Sequence, residues 1–169
     1  MWLSYLLGIV FSIELLVHLI GEVLIEKDRP QAIKVRYFSK PFLMLSILLF
    51  YLSFSDPISV WIIAGLIGGW VGDICLMIPD PKDTKLFFKI GLIAFLLGHI
   101  FYIVGFLTFL SSISAIPWWV YIFDGIFLIY GIWVAKILLP HVENLRIPII
   151  IYIIVIVLMV ITASWLVGS

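Results

Sequence analysis

The chain has 169 residues, of which 64% are hydrophobic and only 12% charged, with acidic and basic groups in balance. A soluble domain is nearer half apolar and a quarter charged, so a single water-soluble core is excluded and no nucleic-acid partner is expected. The composition is that of an all-α, polytopic transmembrane helix bundle, read as a single transmembrane helical domain over residues 1–169. Its one cysteine, Cys75, lies in an apolar run, which excludes a disulfide framework within the chain and suggests a buried structural thiol.

Apolar runs long enough to cross a bilayer occur at about residues 2–25, 40–55, 57–79, 87–110, 117–139 and 147–167, giving six spans. The first is no signal peptide. It lacks a basic leader, and its apolar run carries Glu14, His18 and Glu22. The second is short for a span and is expected to tilt or to end in the interface. Lys40-Pro41 opens it, with the proline in the first turn, where its missing N–H costs nothing.

The basic residues orient the bundle. Lys27, Arg29, Lys34, Arg36 and Lys40 stand between spans one and two. Lys82, Lys85 and Lys89 stand between three and four, and Lys136 and Arg146 flank the loop between five and six. The loops around Asp56 and Ser111 to Ile116 have none. Basic loops face the cytoplasm, so the N-terminus is expected outside.

Ionisable groups inside hydrocarbon cost about 2.5–3.5 kcal/mol each on insertion scales, so each one asks for a reason. Asp73, in Gly72-Asp73-Ile74-Cys75, lies roughly 9 Å inside the cytoplasmic end of the third span. It reads as a functional acid or as a structural hydrogen-bonding group. The pairs Gly65/Gly69 and Gly68/Gly72 read as close helix packing. Glu14, His18 and Glu22, four apart, form one stripe, either a pocket wall or a satisfied interhelical network. Gly91, Phe95, His99 and Tyr102 share a face of the fourth span, where His99 and Tyr102 are pocket candidates beside a packing alternative. Asp124 and Tyr130 in the fifth span are weaker candidates, with Asp124 expected near the outer interface. Lys40 is either a snorkelling anchor or a cation for a lipid phosphate.

The ordered set Ser39-Lys40-Pro41-Phe42-Leu43-Met44, Gly72-Asp73-Ile74-Cys75-Leu76-Met77, Phe88…Gly91-Leu92…Phe95…Gly98-His99…Tyr102 and Tyr152…Met159…Ala163 resembles the YhhN family of membrane proteins over about residues 36–163. Family members typically have eight spans, with a Ser-Asp motif in a seventh helix supplying a second acid, so the resemblance implies that the last two helices are lacking here. It also implies lysoplasmalogenase-like activity: hydrolysis of the vinyl ether of a lysophospholipid to a fatty aldehyde and a glycerophospho-alcohol. The membrane would be the inner membrane of a bacterium or the endoplasmic reticulum of a eukaryote.

Vinyl ethers resist base and nucleophiles but cleave once a proton reaches the β-carbon and water captures the oxocarbenium ion. Two carboxyl groups share such labour in glycosidases. Burial in hydrocarbon favours the uncharged acid, which makes Asp73 the expected proton donor, with Glu14 or Glu22 the remaining intramembrane carboxylates. His99 and Tyr102 would orient water or the glycerol hydroxyl, and Lys40 would hold the phosphate. No cofactor or metal is expected. Two rivals stand beside this reading. One is a zinc hydrolase using His18, His99, Asp73 and Glu14, although no tight ligand motif appears and His141 falls in a loop. The other is a small proton-coupled transporter or lipid-handling protein.

Overall fold

Hydrocarbon offers backbone N–H and C=O groups no partner, so each apolar run must satisfy its own as a helix. The computed structural model describes residues 2–26, 32–79, 85–110, 116–142 and 145–168. Its helices are α1 (Trp2–Glu26), α2 (Ala32–Phe54), α3 (Val60–Met77), α4 (Leu86–Phe109), α5 (Trp118–Leu138) and α6 (Arg146–Gly168), with a 3₁₀ turn at Leu139–His141. Among the described residues there is no strand, and six helices are long and apolar enough to cross a membrane. Large apolar side chains, from Trp2 through Ile129 to Val167, are exposed on every helix. Such a surface suits lipid rather than water. The chain is an all-helical, multi-pass integral membrane protein.

Prolines set several ends. Pro79 disfavours the α region at the residue before it, and Ile78 is accordingly extended, at φ −77° and ψ 123°, where α3 stops. Pro117 is the extended residue that precedes α5, and Pro140 lies in the 3₁₀ turn that follows it. His141 therefore belongs to that turn rather than to an open loop, and its Nδ1 lies 2.9 Å from the Ile137 carbonyl oxygen.

The second helix departs from expectation. It begins at Ala32, eight residues before the apolar run, so Lys34 and Arg36 are helical and Pro41 lies in the helix interior rather than in its first turn. There the proline leaves the carbonyl of Tyr37 without its usual donor. Lys27, Arg29, Lys82 and the loop residues 111–115 lie outside the described residues.

Packing divides the chain into two compact units, residues 1–95 and 96–169. In the first, α1 runs against α2 and α2 against α3. The small residues of α3 do the expected work: a Cβ on Gly69 would stand 3.1 Å from Met44 Cε, and one on Gly72 would stand 2.6 Å from the Phe95 ring. In the second, α5 packs on α6, where a Cβ on Gly131 would meet Val157 at 2.7 Å, and Val120 is fully buried.

Candidate functional site

The α1 stripe is polar because α2 answers it residue by residue. Glu22 accepts from Arg36 through both carboxylate oxygens, with Nε 2.6 Å from Oε1 and Nη2 on Oε2. One turn deeper, His18 Nδ1 and Ser39 Oγ share a hydrogen bond of 2.9 Å, and His18 Nε2 lies 3.8 Å from Glu22 Oε1. Deeper again, Ser46 Oγ donates to Glu14 Oε2 at 2.5 Å. The stripe is bonded to α2 along its length and turned toward open space at one end. The Glu14 end is tied to a serine, whereas the His18 and Glu22 end opens on space.

That space is a cavity of about 470 Å³ in the first unit, walled by His18, Glu22, Arg36, Tyr37 and Lys40 with Ile25, Ile33, Leu76 and Met77. Tyr37 closes one side by donating its hydroxyl to the Met77 carbonyl at 2.9 Å, which ties α2 to the end of α3. Behind the wall, Lys40 Nζ stands 2.8 Å from Asp73 Oδ1. The aspartate side chain is 14% exposed and the lysine 32%, so the lysine faces the cavity and the acid is shielded by it. The two residues singled out separately in the sequence are thus one ion pair bridging α2 and α3.

Three residues before Asp73, on the same stripe of α3, the Trp70 indole Nε1 is buried and, among the described residues, lacks a hydrogen-bond partner. A buried donor left unsatisfied costs about 1–3 kcal/mol, so this position favours an oxygen from a ligand or water. Cys75 is a half-buried free thiol.

His99 and Tyr102 belong to the second unit. His99 meets the Tyr152 ring edge-on at 5.5 Å, and Tyr102 stacks on Phe106 at 6.1 Å. Asp124 is buried, at 9% exposure, and accepts from Ser164 Oγ at 2.6 Å and Trp165 Nε1 at 2.8 Å. Tyr130 is exposed. A cavity of about 250 Å³ between α5 and α6 is lined by aliphatic side chains and Gly131 and offers no polar group for chemistry. Among the described residues, no three His, Cys, Asp or Glu side chains are grouped as metal ligands.

Arg36, Ser39, Ser46 and Tyr37 are the site residues that sequence reasoning passed over. The signal was present in their spacing, since 36, 39 and 46 fall on one helical face opposite the α1 stripe, once α2 is allowed to begin before the apolar run.

No curated protein and no solved structure matches the chain. The YhhN family model matches residues 35–168, from the helix that carries Arg36 and Lys40 to the end of α6. The chain belongs to the YhhN family.

Proposed function

We propose that the protein is a membrane-embedded hydrolase that cleaves the vinyl ether bond of lysoplasmalogen-type lysolipids, releasing a fatty aldehyde and a glycerophospho-alcohol. The Lys40–Asp73 pair beside a polar cavity is the observation that carries this reading. It joins two of the motifs that carry the family likeness, Ser39–Met44 and Gly72–Met77. The pair is neutral as a whole and holds a proton that can be passed on. Transfer of that proton to the β-carbon of the vinyl ether leaves the pair with one net negative charge opposite the new oxocarbenium ion. That charge stabilises the cation. Water then adds to the carbon bearing the ether oxygen and returns a proton to the pair, and the hemiacetal collapses to aldehyde and alcohol. Acid and base labour are thereby shared within one ion pair, with no second aspartate required.

The test is lipid mass spectrometry on proteoliposomes supplied with a 1-alkenyl lysophospholipid in a mixed lysolipid pool. The expected result is loss of the alkenyl species with stoichiometric fatty aldehyde, while acyl and alkyl lysolipids persist. Movement of lysolipid across the bilayer without its consumption would favour the transport reading instead.

A further inference from the structure

We infer that the groove between α5 and α6 holds one acyl chain of an anionic phospholipid from the cytoplasmic leaflet, with Lys136 and Arg146 receiving its headgroup. The site lies wholly within the second unit and is independent of the hydrolase reading. Its lining is apolar from end to end. Gly131 of α5 lets Ile153 and Val157 of α6 come close at its floor. Its lips are Leu128 and Ile132 on α5 and Ile150, Ile154 and Leu158 on α6, all exposed. The groove therefore opens sideways on the bilayer. A space of about 250 Å³ without a polar group does not hold water, and in a membrane its natural filling is a hydrocarbon chain.

Length and charge say which lipid. The lining residues of α6 run from Ile150 to Ile161, about 16 Å of helix. That is roughly one leaflet of a bilayer's hydrocarbon core, and the groove begins one turn inside Arg146, on the side where the basic residues gather. Each lip, followed one further turn towards that surface, ends in a cation. On α5 the stripe Leu128, Ile132 continues at the same four-residue spacing to Lys136. On α6 the stripe Leu158, Ile154, Ile150 continues to Arg146. Both cations are exposed, and among the described residues neither is paired with a carboxylate. A phosphate at the mouth meets one cation from each helix while its chain descends between them. Basic residues at the cytoplasmic end of a cleft between spans select anionic headgroups. A zwitterionic headgroup carries its own ammonium, which competes for the same phosphate, so a lipid of net negative charge is favoured.

The experiment uses the full chain in phosphatidylcholine nanodiscs with two trace probes, phosphatidylglycerol and phosphatidylcholine, each carrying a diazirine midway along one acyl chain. After illumination, the labelled peptides are mapped by mass spectrometry. The phosphatidylglycerol probe is expected to label the lining residues of α5 and α6 at least about fivefold more than its neutral counterpart, with a smaller difference at high salt. Replacing both cations, Lys136→Gln with Arg146→Gln, is expected to bring the two probes level, whereas Lys136→Arg keeps the preference. Ile154→Trp, at an exposed lip, fills the groove and leaves both cations in place, and is expected to lose the adducts of both probes at Ile153 and Val157. Equal labelling by the two probes in the wild type would mean ordinary surrounding lipid and overturn the inference. So would a preference that survives loss of both cations, or a groove without adducts in a protein whose mass is that of a dimer, which would assign the face to a second copy.

Discussion

The carboxylates Glu14, Glu22 and Asp73 each meet a donor on α2: Ser46, Arg36 and Lys40. Three acids from two helices converging on one partner helix explain how they are tolerated in so apolar a chain, because a buried charge is retained where it is paired and hydrogen-bonded. Asp124 obeys the same rule in the second unit, with a serine and an indole as its donors. Hydrogen bonds to an ionised group contribute about 1.5–3 kcal/mol each. Trp165→Phe keeps the ring and removes the N–H, so it is expected to destabilise the protein by about that amount, read as a lowered unfolding midpoint in detergent micelles. An unchanged midpoint would mean that the bond contributes nothing. The spacing of Glu14, His18 and Glu22 already placed them on one face, but the sequence did not show which reading of Asp73 would hold. Its partner lies 33 positions away, and only tertiary packing brings Lys40 to it.

At the scale of the helix, the six spans were legible because length and hydropathy are what a bilayer demands. The one large displacement, the early start of α2, has a physical cause. Its most apolar stretch has a mean hydropathy of only 1.4, against 2.9 for α6, and Lys34 and Arg36 stand at its N-terminal end. A hydropathy run records what hydrocarbon tolerates from an isolated segment, whereas Arg36 is tolerated because Glu22 of the neighbouring helix pairs with it. The arginine that completes the cavity wall was therefore counted with the loop. The glycines give a test of helix contact. Gly72→Ala would press a methyl to 2.6 Å from the Phe95 ring and is expected to cost about 1–3 kcal/mol, as overpacking does. Gly125→Ala meets nothing within 4 Å and is expected to be neutral or to stabilise by about 0.4–1 kcal/mol. Thermal unfolding of the two variants side by side decides it, and equal losses in both would contradict the packing.

For the whole molecule, the segregation of all ten Lys and Arg residues to alternate loops and the helix ends that flank them predicts an outward N-terminus and a cytoplasmic end for α3 and α4. In a Cys75→Ser background, a cysteine at Lys85 is expected to react with an impermeant maleimide only after the cytoplasmic face is exposed. Labelling from outside in intact cells would invert the topology. The membership of the YhhN family, already suggested by short motifs at Ser39–Met44 and Gly72–Met77, is carried by the family match over residues 35–168. The chemistry hangs on a single pair, and a single-turnover assay with the alkenyl lysophospholipid in D₂O tests it most directly. Wild-type protein should release an aldehyde carrying one deuterium at the former β-carbon when it is trapped at once, and Asp73→Asn should slow that release by at least about a hundredfold. Aldehyde formed at the wild-type rate by Asp73→Asn, or formed without deuterium at that carbon, would contradict the account.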